Sequence, residues 1–204
     1  MFHPENIENE FFLKLDFSFS ASDLAKGKVL ISEPFLEDPN FNRSVVLLTE
    51  YVQEEGAFGF VLNRPTDLFM HDIIEDFPCK HFPFHYGGPV ENESLFFIHQ
   101  LGDALEDSRE IFPGLWWSGN FDHLRSLIST GSVQEHELKF FGGYSGWEAG
   151  QLERELMERS WIMNTLSRDH IFKTPADQMW RESLRSLGSK FSVMSQFPEN
   201  PGMN

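Results

Sequence analysis

Cysteine is nearly absent: the 204 residues include one, Cys79. A single thiol excludes an intramolecular disulfide and fits a reducing compartment. Basic residues are also scarce, with 16 Lys and Arg against 32 Asp and Glu and a formal net charge of −16. The deficit is uneven, since residues 1–138 hold 8 basic and 24 acidic residues while residues 139–204 hold 8 of each. Non-specific affinity for nucleic acid rests on Lys and Arg displacing counterions, so direct nucleic-acid binding is not expected. A local basic face could form only around Arg154, Arg159, Arg181 and Arg185. No apolar run approaches the ~18 residues of a membrane span. The opening MFHPENIENEFFLKLDF has neither a basic leader nor a continuous apolar stretch, and it reads as neither a signal nor a transit peptide. The expectation is a cytoplasmic protein with no membrane attachment.

What is abundant is phenylalanine, 22 of the 30 Phe, Trp and Tyr residues. With 40% hydrophobic and 24% charged residues, the chain suits one ordinary globular domain. Residues 1–21 read as an N-terminal arm, 22–190 as a single α+β domain, and 191–204, with Pro198, Pro201 and Gly202, as a flexible tail.

Val29–Ile31, Ser44–Thr49 and Phe58–Leu62 read as strands, the last two joined through Glu54-Glu55-Gly56 as an antiparallel hairpin. Leu68–Phe77 reads as a helix with Leu68, Ile73, Ile74 and Phe77 inward. Ser94–His99, Gly114–Ser118 and Leu138–Phe141 read as further strands. Asn120 is the expected cap of a helix ending near Gly131. Gly142–Gly146 reads as a tight turn into a helix from Glu148 to about Arg159, with Glu155 and Arg159 at the favourable i,i+4 spacing. Thr174-Pro175 opens a last helix with Ala176, Trp180, Leu184 and Leu187 on its apolar face. Early strands with hairpin connections and late helices favour an α+β domain.

No catalytic signature is strong. Cys79, His81, His85 and His99 match no zinc spacing, so no metal is expected. Gly143-Tyr144-Ser145-Gly146-Trp147 fails the nucleophile-elbow pattern at Trp147. No cofactor motif is present. The most suggestive polar residues are Asn40 with Arg43 and Asn63 with Arg64, each pair at a strand boundary. Arginine forks match carboxylates and phosphates, and local salt bridges to Glu33, Glu37 or Asp38 are the competing reading. The candidate ligand site is Asn40, Arg43, Asn63 and Arg64, with Gly87 and Gly88 permitting close approach.

Several blocks carry a family resemblance: Gly27–Pro34, Asp38–Phe41 with Arg43–Leu48, Gly56–Pro65, Gly87–Val90, Gly142–Trp147 with Gly150–Leu156, and Ser160-Trp161 followed by Phe172, Pro175 and Trp180. In this order they resemble the bacterial AlgH/YqgE family across about residues 22–188. The resemblance implies a mostly antiparallel β-sheet bent into a partial barrel with surrounding helices. It also implies a family without an assigned activity, some members of which carry the label of transcriptional regulator through links to alginate production. Ser145 stands where the family commonly has alanine, and the Phe-rich arm is longer than in many members. The leading expectation is a domain that binds a small anionic ligand or a protein partner. An enzyme acting on an anionic metabolite, and a regulator acting through a protein, are the alternatives.

Overall fold

The computed structural model describes residues 21–198. The expected arm therefore lies, apart from Ala21, outside the described residues, as does the end of the tail from residue 199. Ten strands form one sheet: β1 Val29–Ser32, β2 Val45–Val52, β3 Gly56–Val61, β4 Pro65–Phe69, β5 Pro83–Tyr86, β6 Val90–His99, β7 Arg109–Phe112, β8 Leu115–Trp117, β9 Leu138–Trp147 and β10 Trp161–Asn164. Six helices are described: α1 Met70–Ile73, α2 Phe121–Ser129, α3 Gln151–Met157, α4 Arg168–Lys173, α5 Ala176–Arg185 and α6 Ser189–Met194. The main path of the sheet runs β10-β1-β2-β3-β9-β6-β8-β7 and does not close. All its pairs are antiparallel except β5 on β9. This is the α+β, partial-barrel class that the sequence indicates.

The expected hairpin is present, with Leu47 opposite Phe60 and Tyr51 opposite Ala57. A bulge lies between Leu48 and Glu50, where the Thr49 hydroxyl donates to the Phe58 carbonyl at 3.1 Å. The continuous apolar runs in β1 and β2 follow from burial on both faces. Val29, Ile31, Val45 and Leu47 pack with Phe60, Phe141, Trp180, Leu184 and Met194 on the α5–α6 side. Leu30, Val46 and Leu48 pack with Trp147, Leu152, Trp161 and Met163 on the α3 side. A third cluster gathers Met70, Phe77, Phe82, Phe97 and Phe140 under Leu124 and Ile128 of α2. Asn120 caps α2 as expected, accepting from the His123 N–H at 3.0 Å.

Several local expectations are corrected. Residues 65–73 form an edge strand and one helical turn, because Pro65 lacks an N–H and suits an edge. Leu68 and Ile73 are exposed, whereas Phe77 is buried as expected, Ile74 packs against its cluster, and Met70 joins them inside. Gly142–Gly146 are not a turn but the interior of β9, which threads between β6 on one edge and β3 and β5 on the other. The following helix begins only at Gln151, after Gly150 at φ 72°. Within it the Glu155 carboxylate accepts from Trp147 Nε1 at 2.9 Å, Trp161 Nε1 at 2.7 Å and Gln151 Nε2 at 2.9 Å. The last long helix is preceded by Pro175 as its N-cap, with no side-chain cap from Thr174. The boundary drawn at residue 190 falls inside α6, whose Met194 is fully buried.

Candidate functional site

The loops carrying the residues expected to bind a ligand meet at one end of the β2–β3 hairpin. Asn63 follows β3 and continues its ladder with a side chain: its Oδ1 accepts from Val45 N–H at 2.9 Å and its Nδ2 donates to the Arg43 carbonyl at 2.9 Å. Arg64 Nη2 donates to the Asn42 carbonyl at 2.8 Å and lies 3.5 Å from Ser44 Oγ. Arg43, at φ 48°, turns toward the helices instead. Its Nη2 donates to the Phe197 carbonyl at 2.6 Å, and its guanidinium lies 4.7 Å from the centre of the Trp180 ring. The two guanidinium groups thus have different partners and tie the 38–44 turn to the rest of the fold.

Asn40 Oδ1 accepts from Tyr86 Oη at 3.0 Å, which links the turn to β5. Burial raises the Tyr86 pKa against the opposing charge of Arg64. Gly87 and Gly88 are buried against the chain's own β9. A Cβ at Gly87 would lie 2.3 Å from the Gly143 carbonyl oxygen, and one at Gly88 2.2 Å from the Tyr144 carbonyl carbon. The close approach that these glycines permit is strand against strand. Ser145 is buried in β9, and its hydroxyl donates to the Gly87 carbonyl at 3.2 Å.

A second location was not singled out from the sequence. A pocket of about 350 Å³ opens beside the parallel β5–β9 seam, lined by Pro83, His85, Glu135, His136, Leu138, Lys139 and Phe172. The seam aligns His85 with Phe141 and Phe84 with Phe140. His85 is buried, and its Nδ1 lies 3.2 Å from the Phe140 carbonyl. A carbonyl only accepts, so Nδ1 carries the proton and Nε2 is left as the acceptor of a neutral ring. Burial, reinforced by the Lys139 charge, lowers the His85 pKa to about 4. Lys139 is half-buried, and its ammonium makes no hydrogen bond or salt bridge with another described residue. Desolvation lowers its pKa, against the opposing pull of Glu135. Lys139 is one lysine within an apolar strand, and only the parallel β5 pairing brings it to His85. Among the described residues, no three His, Cys, Asp or Glu side chains are grouped to hold a metal.

An open, mostly antiparallel sheet with short helices packed around it defines an α+β protein of partial-barrel type. The AlgH-like family model matches residues 29–192, and the chain belongs to that family. It is 43% identical over 182 residues to a UPF0301 protein of Cytophaga hutchinsonii, covering 89% of this chain and 100% of that one. It is 41% identical over 181 residues to a UPF0301 protein of Chlorobium limicola, covering 89% and 96%. Among solved structures, the solution structure of AlgH from Pseudomonas aeruginosa matches with a TM-score of 0.70 at 29% identity, covering 88% of this chain and 97% of that one. A crystal structure from Corynebacterium diphtheriae matches in fold with a TM-score of 0.74 at 23% identity, covering 88% and 96%.

Proposed function

We propose that this domain binds a small anionic ligand, a carboxylate or a phosphate, in the pocket beside the β5–β9 seam. The observation that carries the reading is Lys139, a half-buried ammonium at a pocket wall without a partner among the described residues. A desolvated cation is costly until an anion pairs with it. Leu138, Pro83 and Phe172 offer apolar walls for the body of the ligand, and about 350 Å³ suits a small molecule. Neutral His85 supplies an orienting acceptor without competing for the charge. On this reading Arg43 and Arg64 hold the 38–44 turn, and their donors serve the chain's own carbonyls. The single half-buried thiol supports placement in a reducing cytoplasm. No helix among the described residues is long and apolar enough to cross a membrane.

The test is a thermal-shift and NMR titration with inorganic phosphate, acetate, succinate and citrate. At least one anion is expected to stabilise the protein and move the Lys139 side-chain resonance. Lys139→Met is expected to weaken that binding at least tenfold, on the order of 1.4 kcal/mol. Arg64→Lys is expected to lower stability and leave the ligand affinity unchanged. Equal binding by Lys139→Met, or a silent Lys139 resonance across the panel, would overturn the reading. Action through a protein partner, which includes the regulator alternative, is a second reading, favoured by the exposed apolar residues of β4 and α1.

A further inference from the structure

Among the described residues, six large apolar side chains are exposed: Val52, Leu68, Phe69, Ile73, Met157 and Val193. Val52, Met157 and Val193 are isolated in sequence. Leu68, Phe69 and Ile73 fall within six consecutive residues and are 44%, 40% and 42% exposed. They sit on β4 and α1, where β4 pairs with β5 along one edge and with no other described strand. Single exposed apolar residues need no explanation, but three within six residues along a sheet edge do.

Within the stretch itself the Asp, Glu, Lys and Arg residues are all acidic. Asp67, Asp72, Glu75 and Asp76 are all exposed, and residues 66–78 contain no Lys or Arg. Arg125 reaches the stretch, donating to the backbone carbonyl of Asp76 at 3.2 Å. His71 stacks on Phe69 with ring centres 5.9 Å apart and lies 3.5 Å from Asp72.

The edge is already blocked for strand addition. Pro65 has no N–H, the Leu68 N–H donates to Thr66 Oγ1 at 3.1 Å, and the Phe69 N–H donates to Asp72 Oδ2 at 2.9 Å. A partner therefore engages side chains, not the backbone ladder. Charge selects among occupants. A second copy would bring the same acidic rim to the same patch. The chain's own residues 1–20 carry four acidic residues and one lysine, so they too are repelled.

We propose that the β4–α1 surface docks a basic amphipathic segment of another protein, whose apolar side chains cover Leu68, Phe69 and Ile73 and whose Lys or Arg residues face Asp67, Glu75 and Asp76. None of Leu68, Phe69 and Ile73 lines the Lys139 pocket, although Phe69 lies opposite its wall residue Pro83, and the proposal does not depend on that pocket.

The probe is a designed 15-residue helical peptide with a leucine face flanked by lysines, fluorescently labelled. Its controls replace lysine with glutamate or leucine with serine. The lysine–leucine peptide is expected to bind the full chain, to perturb the amide resonances of residues 67–76, and to weaken as salt rises. Leu68→Ser with Ile73→Ser is expected to reduce the affinity at least tenfold. Asp67→Asn with Glu75→Gln and Asp76→Asn is expected to reduce it and flatten the salt dependence. These side chains are exposed, and an unchanged amide spectrum outside 65–78 verifies that the variants fold. No binding of the lysine–leucine peptide overturns the proposal, as does equal binding of the glutamate peptide or equal binding by the variants. A concentration-dependent dimer abolished by Leu68→Ser would assign the patch to a second copy and overturn it as well.

Discussion

His85 and His99 are both buried, and each is built into the backbone as a neutral ring. His99 Nε2 donates to the Ser118 carbonyl at 2.9 Å, while its Nδ1 accepts the Leu101 N–H at 3.2 Å. Only the neutral Nε2–H tautomer satisfies both contacts. Burial lowers the pKa of each ring to about 4. An unfolded histidine titrates near 6.5, so between these values the unfolded state binds more protons than the folded one. Stability contributed by these rings is therefore complete above about pH 6.5 and is lost as pH falls toward 4. The loss is on the order of 3 kcal/mol per ring when complete. Urea denaturation between pH 7 and pH 5 is expected to show a steady fall in unfolding free energy. A flat profile across that window would contradict burial of neutral rings.

At the scale of elements, β9 decides most of the architecture. Its ten residues serve three partners, and its glycines let β5 and the Gly87-Gly88 segment approach. Gly88 has φ 153°, and an added Cβ would meet backbone atoms, which cannot move aside as a flexible side chain would. Gly88→Ala is expected to cost more than about 3 kcal/mol, or to prevent folding, as backbone strain and steric overlap combine. A chemical-denaturation midpoint within experimental error of the wild type would show that the strand approach is looser than described. The same contacts explain why glycines at 142, 143 and 146 give little information as isolated letters. A glycine run before a charged segment suits a turn, and only the partners on both edges make it a strand.

For the whole molecule, charge is the property with the widest reach. The net charge of −16 opposes the phosphate backbone, and Lys173 and Arg185 are already paired with Asp169 and Glu182. No measurable binding to random duplex DNA is expected at physiological salt. Micromolar affinity in a filter or anisotropy assay, falling steeply as salt rises, would refute this. A basic peptide should behave in the opposite way, which makes the two measurements a paired test of the same surface potential.

The sequence alone determined the α+β class, the β2–β3 hairpin and the Asn120 cap, because alternation, turn residues and capping are encoded within a few neighbouring positions. It also carried the family blocks in order. Tertiary structure decided the rest, because the relevant partners lie far apart in the chain. Arg43 and Phe197 are 154 residues apart, and no local pattern reveals that this guanidinium serves a carbonyl. His85 and Phe140, 55 residues apart, meet only through a parallel pairing, and that pairing places Lys139 at a pocket wall. Leu68 and Ile73 fit an inward helical face by spacing, but the edge strand formed from Pro65 leaves them in solvent.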